Sequence, residues 1–377
     1  MAKPRIKLKR MSLKGFKSFG EKQTLEFKDE TLLIGANGSG KSNIISFFNM
    51  LNYMNETEFN SYVEQQGGAN IILYYSAKKT QFIEFEIEFE TGNKSKLENI
   101  TYLAKVSYKL PDNLFIEKPI YIIEQDGKVN TLDTNKLPVD EAGKSSLRKD
   151  FSDVAKNIDM LIHNWRVFQF SDTSKESRIR QAGYIMDNKG LKSEGGNLAA
   201  FLYSIKQKEP QYYDRIVNQI RAIFPQFGDF ELQPLRLNEN MIMLNWYETN
   251  SDYLFGPHQL SDGTLRFIAL TTLLLQPEET RPSVIFIDEP ELGLHPAAIT
   301  ALAGMVHTIS PYCQVFLATQ SAQLLNHFKP DSIMVVERDR QKKYSVIKQL
   351  SEKELRVWLK KYTLAELWDK NVLGGRP

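Results

Sequence analysis

A chain of 377 residues with 42% hydrophobic and 25% charged side chains can bury cores for two or three domains, or for one large domain carrying an insertion. That composition excludes disordered, collagenous and coiled-coil-dominated classes. Its 48 basic and 46 acidic side chains leave a formal charge of +2, so partners must be read from local patches rather than from a global field.

Apolar and basic residues alternate from Ile6 to Leu13, and Gln23 to Phe27 repeats the pattern, which predicts two half-exposed strands around the turn Lys14 to Gly20. Thr31-Leu32-Leu33-Ile34 is a short apolar run that stops at a glycine, and Asn43 to Leu51 follows with helical spacing. Residues 81–89 alternate Ile83, Phe85, Ile87 and Phe89 with Glu84, Glu86 and Glu88, the pattern of a half-buried antiparallel strand. Strand-like runs near 100–109 and 119–124, broken by Pro111-Asp112-Asn113 and ended by Asp126-Gly127, extend this to a meander. From about 150 to 223 the spacing reads as helical, with Asn197 as a cap for a helix through Lys208 and Pro210 opening the next. A strand-like run covers Met241 to Tyr247; Val284 to Ile287 and Gln314 to Ala318 read as buried parallel strands, with a helix opening at Pro296 between them. No internal repeat and no sustained heptad pattern occurs.

Three segments carry chemistry. Gly35-Ala36-Asn37-Gly38-Ser39-Gly40-Lys41-Ser42 meets every fixed position of the phosphate-binding pattern G-x-x-x-x-G-K-[ST]. Its glycines let backbone N–H groups turn toward phosphate oxygens at a helix N-terminus, Lys41 supplies a cation for the β and γ phosphates, and Ser42 can ligate Mg²⁺. The alternative is a flexible turn that happens to hold a lysine; its position between strand and helix is what the phosphate mechanism requires. Val284-Ile285-Phe286-Ile287-Asp288-Glu289-Pro290 ends a buried strand in two carboxylates, Asp288 to hold Mg²⁺ and Glu289 to polarise an attacking water, or else simply a solvated strand end. Leu260-Ser261-Asp262-Gly263-Thr264 precedes the apolar helix Leu265 to Leu275, either as a Ser/Asp cap or as an anion-binding helix start.

With these three in place the chain resembles the ATP-binding-cassette ATPases, whose signature loop, commonly Leu-Ser-Gly-Gly-Gln, lies upstream of the magnesium aspartate. Asp262 stands where that loop has a glycine, adding negative charge near phosphate, and Thr264 replaces the glutamine. Leu13 to Phe19, Asn37 and Ser42-Asn43-Ile44 look like the RecF and SMC branch. Gly38 to Asn43, Leu260 to Leu275, Asp288 to Pro296, Ala318-Thr319-Gln320-Ser321 and the segment from Leu367-Trp368 to Gly374-Gly375-Arg376-Pro377 resemble stand-alone AAA-21-type ATPases.

The resemblance implies an α/β cassette head, a mixed central sheet with flanking helices plus an antiparallel meander. It would comprise an N-terminal lobe at 1–150, an inserted helical lobe at 151–232 and a C-terminal lobe at 233–377. It implies ATP and Mg²⁺, and a head-to-tail homodimer in which Gly35 to Asn43 of one copy and Ser261 and Gly263 of the other share a nucleotide. Glu291 to His295 would form the interface loop, and Gln320 would replace a γ-phosphate-sensing histidine, unless it merely caps the helix near Ser321. A magnesium-contacting glutamine is expected upstream, with Gln65 and Gln66 as candidates. Its implied role is to gate a separate effector protein, in antiphage defence or DNA repair and maintenance; a nucleotide-dependent scaffold or sensor with little hydrolysis is a second reading, and the ATPase subunit of an OLD-like nuclease system whose nuclease is a separate chain a third.

Basic residues crowd the first 22 positions (Lys3, Arg5, Lys7, Lys9, Arg10, Lys14, Lys17, Lys22), as a DNA-backbone groove or as a solvated strand face. His163-Asn164-Trp165 and Trp246 read as core or interface groups, and neither His258 nor His295 has a second ligand at metal spacing. Glu337 and Asp339 hint at a metal-binding nuclease (Toprim) site, yet the 38 residues after Asp339 are too few for that domain. A lone cysteine, Cys313, no signal-peptide core and no run of about 18 apolar residues lead to the expectation of a cytoplasmic protein without membrane contact.

Overall fold

A computed structural model describes residues 6–54, 58–93, 96–117, 119–125, 128–133, 158, 161–162 and 165–376. Lys3, Arg5, Asp126, Gly127, His163, Asn164, Pro377 and the start of the expected helical block at 150–157 lie outside them. The chain divides into two compact units: Met1–Arg166 with Pro330–Lys361 and Lys370–Pro377, and Val167–Lys329 with Tyr362–Asp369.

In the first unit the alternating segments form an antiparallel sheet in the order Gln23–Glu26, Lys7–Lys14, Phe82–Asn93, Lys96–Lys109, Ile120–Gln125 and Lys128–Asp133, with Asn113–Ile116 also pairing with Lys96–Lys109. Register explains the two charge patterns. Lys7 faces Glu90, Arg10 faces Glu88 and Lys14 faces Glu84, so each basic strand residue meets the acidic side of its neighbour. Lys9 pairs with Glu90 at 2.5 Å, Lys22 with Glu86 at 3.0 Å, Lys7 with Asp29 at 2.7 Å, and Arg10 with Glu88. Lys7, Lys9, Arg10 and Lys22 therefore lie on a solvated strand face matched by carboxylates, which favours that reading over a DNA groove at these four positions. Exposed pairs of this kind stabilise by about 0–1 kcal/mol each.

The opposite face is apolar: Leu8, Met11, Leu13, Ile83, Phe85, Ile87 and Phe89 are all buried. Against it packs the helix Lys41–Asn52, through Phe47 on Phe16 (5.5 Å) and Phe85 (5.1 Å) and Phe48 on Trp165 (5.6 Å). Trp165 is thus a core residue. Glu30–Ile34 runs parallel to Ile333–Arg338, which pairs antiparallel with Ser345–Gln349.

The second unit holds Val284–Asp288 and Gln314–Thr319 as a parallel pair, with Asp262–Leu275 and Pro296–Ile309 as its long apolar helices. The helices Leu198–Lys208 and Pro210–Ile223 occur as read. Residues 158 and 161–162 are helical as read, but the helical expectation fails for 165–196. That segment forms a short strand, Arg166–Phe168, a single 3-10 turn, Arg178–Arg180, and the strand Gly183–Tyr184, because Ser171, Ser174, Gly183, Asn188, Gly190, Gly195 and Gly196 favour turns. Asn197 precedes its helix but caps nothing; its amide instead ties the loop before it, accepting from Lys192 N–H at 2.9 Å and donating to Asp187 and Gly190 carbonyls. The run from Met241 splits into Asn238–Ile242 and Asn245–Glu248, in separate small sheets, where Asn245 N–H turns back on Met243 O at 2.9 Å. Among the described residues no helix is long and apolar enough to cross a membrane.

Phe47 touches three aromatic rings and is fully buried. Phe47→Ala is expected to lower unfolding stability by about 3–5 kcal/mol in a denaturant titration, and a loss below about 1 kcal/mol would contradict this packing.

Candidate functional site

The phosphate loop lies in the first unit. Gly35 ends the Glu30–Ile34 strand where a Cβ would sit 2.3 Å from Val336 O and 2.6 Å from Ser39 Oγ. Gly40 has φ +120°, and a Cβ there would lie 2.4 Å from Ser345 Oγ. Both positions therefore demand glycine. Lys41 is buried, and its Nζ donates to Gly35 O at 2.5 Å and Ala36 O at 3.0 Å. Ser42 and Asn37 are exposed, and the helix N-terminus at Gly40 has no side-chain cap. Ser39 Oγ is buried with no hydrogen-bond partner among the described residues. An open turn of N–H groups, a cation held on neutral carbonyls and an orphaned hydroxyl form a cradle that fits an anion.

Support for this loop comes from residues that motif reading missed. Ser345 Oγ lies 2.5 Å from Ser39 O and 2.8 Å from Ser18 Oγ, which also accepts from Asn43 Nδ2 at 2.8 Å. Ala36 N–H donates to Gly375 O at 2.9 Å, and Gly375 N–H donates to Glu337 Oε2 at 3.2 Å. Glu337 therefore anchors the Gly374-Gly375 segment, while Asp339 Oδ1 accepts from the N–H groups of Gln341 and Lys342 in its own hairpin turn. The hinted nuclease carboxylates have structural employment.

The two carboxylates lie in the second unit. Asp288 and Glu289 close the Val284–Asp288 strand and line a narrow cleft with Phe170, Ser171, Arg266 and Pro290. Glu289 takes the left-handed region at φ +47°, uncommon for a non-glycine residue, with its N–H on Ala318 O at 2.8 Å. Gln320 is exposed at the end of the neighbouring strand; its Nε2 donates to Glu289 Oε1, and its N–H to Glu291 Oε1 at 2.9 Å. The next helix is capped by Ser321, whose Oγ accepts from Leu324 N–H at 3.2 Å, so the cap reading of Gln320 falls away. Burial raises the Glu291 carboxyl above the ordinary carboxylate range, against hydrogen bonds from the Gln320 N–H and the Thr319 hydroxyl.

In the same unit Ser261 caps the Asp262–Leu275 helix, accepting from Thr264 N–H at 3.1 Å. Gly263 packs on the Glu291-to-His295 turn, where a Cβ would lie 2.4 Å from Gly293 O. Arg266 donates to Phe170 O (2.9 Å), Ser171 O (2.6 Å) and Leu292 O (2.9 Å), joining the two segments to the signature helix. Sequence reading gave Arg266 no role, since arginines that bond carbonyls leave no motif. His295 Nδ1 caps the Pro296–Ile309 helix at Ala297 N–H, and no group of three metal-binding side chains occurs among the described residues. Gln65 and Gln66 end the helix Phe59–Gln65 rather than a strand; a glutamine directly after a strand is Gln169, exposed beyond Arg166–Phe168.

The profile of the AAA_21 family, described as "AAA domain, putative AbiEii toxin, Type IV TA system", matches residues 31–326. A Vibrio cholerae protein named "Retron Vc95 probable ATPase" is 23% identical over 88% of this chain and 74% of its own length. Two solved SMC head domains share the fold at TM-score 0.56 and 16% identity. One, bound to the C-terminal winged-helix domain of ScpA, is covered over 92% of this chain and 99% of its own. The other, with an extended coiled coil and the ScpA C-terminal domain from Pyrococcus furiosus, is covered over 94% and 99%.

A carboxyl raised by burial holds its proton more tightly folded than unfolded, so its contribution to stability is complete below the ordinary carboxylate range and is lost as pH rises through the folded value. The parent is expected to lose stability relative to Glu291→Gln over that rise. Parallel pH–stability curves for the two proteins would contradict it.

Proposed function

We propose that this chain, which belongs to the AAA_21 family and has an SMC-head fold, binds ATP with Mg²⁺ and hydrolyses it while two copies close head to tail. The observation that carries the proposal is the buried Lys41 ammonium poised on the Gly35 and Ala36 carbonyls at an uncapped helix start, the state from which it can move to phosphate oxygens.

In this reading the turn Gly35 to Asn43 cradles the phosphates, Lys41 neutralises the β and γ oxygens, and Ser42 and Asp288 hold Mg²⁺. The metal, when bound, offsets charge on the phosphate oxygens. Glu289 accepts the proton of the attacking water. Its Oε1 accepts from the Gln320 amide, so Gln320 orients the base through one oxygen and, as an uncharged donor, brings no imidazole titration to the site. Gln169 is the better-placed candidate for the strand-end glutamine. Ser261 and Gly263 present a capped helix start to the γ-phosphate of the second copy.

The biological output is conformational: a nucleotide-gated ATPase acting on a separate effector protein, in antiphage defence or DNA maintenance. Support comes from the toxin–antitoxin description of the family, the retron ATPase relative and the ScpA domain seated on the related heads. The scaffold reading with little hydrolysis is favoured by one observation, the Gln320 amide occupying the oxygen of Glu289.

Lys41→Ala removes a charge-assisted contact of roughly 1.5–3 kcal/mol and is expected to weaken ATP binding roughly 10- to 150-fold by calorimetric titration. Unchanged affinity would contradict the phosphate-loop assignment. Glu289→Gln is expected to bind ATP, slow turnover at least ~100-fold and accumulate the ATP-bound dimer. A parent protein that hydrolyses no faster than Glu289→Gln, alone and with its effector, would leave the scaffold reading in place.

A further inference from the structure

Asp262 puts a carboxylate in the signature loop where the cassette pattern has a glycine. An anion beside the place where a phosphate docks would repel it, so the loop is useful there only if something cancels the charge. The cancelling group is Arg180. Asp262 is exposed, with 63% of its side chain accessible, and Arg180 Nη2 donates to its Oδ1 at 2.8 Å from a side chain only 5% accessible. The same guanidinium donates through Nε to Thr173 O at 2.8 Å, and through Nη1 to Leu260 O at 3.1 Å and to Pro257 O. The Pro257 and Leu260 carbonyls are part of the chain that leads into Ser261. Arg180 and Thr173 hold the Asp262 carboxyl below its usual range, so it is ionised at neutral pH.

The four contacts are not equivalent. The three carbonyls satisfy the buried guanidinium fork and fix the loop without regard to charge; Asp262 adds the opposite sign. Removing Asp262 therefore leaves a loop still clamped and one unit more positive. Removing the guanidinium leaves a loose loop with an uncompensated anion at its tip. A structural salt bridge alone would treat the two losses alike.

We propose that Arg180 is a positioning residue for the trans-acting loop: it clamps the carbonyls of Pro257 and Leu260 and neutralises Asp262, so that Ser261 and Gly263 can meet the phosphate held by the second copy. This rests on the dimeric ATPase reading above. The pair adjusts the electrostatics of that encounter, a task the all-glycine loop does not face.

The test is ATP-driven dimerisation of full-length Glu289→Gln protein, followed by sedimentation at two salt concentrations, in four backgrounds: otherwise unchanged, Asp262→Asn, Arg180→Gln and the double variant. Asp262→Asn is expected to dimerise at least as tightly as the unchanged background, with a steeper loss of affinity on adding salt, because its loop gains net positive charge. Arg180→Gln is expected to weaken the dimer at least tenfold, and the double variant to recover at least threefold of that loss. A tenfold weakening by Asp262→Asn would overturn the proposal, and this arm leaves the buried arginine untouched should Arg180→Gln fail to fold. No recovery in a folded double variant, judged by its melting curve, would also overturn it, reducing Arg180 to a structural clamp. If the unchanged background does not dimerise with ATP while still binding it, the dimeric reading itself fails and the proposal falls with it.

Discussion

A lysine ammonium taken out of water needs oxygen atoms around it, and burying such a charge without them is among the most expensive events in folding. Lys41 meets that demand with the carbonyls of Gly35 and Ala36, and this one requirement shapes much of the first unit. The loop can bend its carbonyls onto Nζ only because Gly35 and Gly40 carry no Cβ where Val336 O and Ser345 Oγ approach. It stays bent because Ser345, Ser18 and Gly375 fasten it from outside. The aromatic contacts of Phe47 and Phe48 then fix the helix that carries Lys41 at its first residue. Phosphate oxygens are stronger partners for an ammonium than neutral carbonyls are.

The second unit solves a similar problem with arginines. Arg180 and Arg266 each donate to three backbone carbonyls of turns, converting loops without regular hydrogen bonding into a fixed frame for Ser261 and Leu292. Arginine suits the task because its planar fork donates in several directions at once. The strained backbone of Glu289, braced by Ala318 O and the Gln320 amide, is held by the same kind of over-determination.

Much of this was legible in the sequence where chemistry and periodicity coincide. The alternation of residues 81–89, the apolar stop at Gly35 and the strand ending in Asp288-Glu289 each appear as strands, the first running on to Asn93. Residues 165–196 depart from the helical reading because apolar residues scattered among glycines and serines imitate a helical period when hydrogen bonding is ignored. The charge of the first strand could not be interpreted alone, since its meaning lies in the register that sets Arg10 against Glu88. The roles of Ser345, Gly375 and Arg180 were invisible for a different reason. They act on backbone atoms far away in sequence, and no spacing rule connects residue 345 to residue 39.

The central claim is that the Lys41 ammonium is stored on its own loop until a phosphate replaces the carbonyls. A structure determined with Mg²⁺ and a non-hydrolysable ATP tests it most directly. Lys41 Nζ should leave Gly35 O and Ala36 O for the β and γ phosphate oxygens, with the turn from Gly35 to Gly40 otherwise keeping its backbone path. A nucleotide bound elsewhere, with Lys41 still seated on those two carbonyls, would contradict the claim.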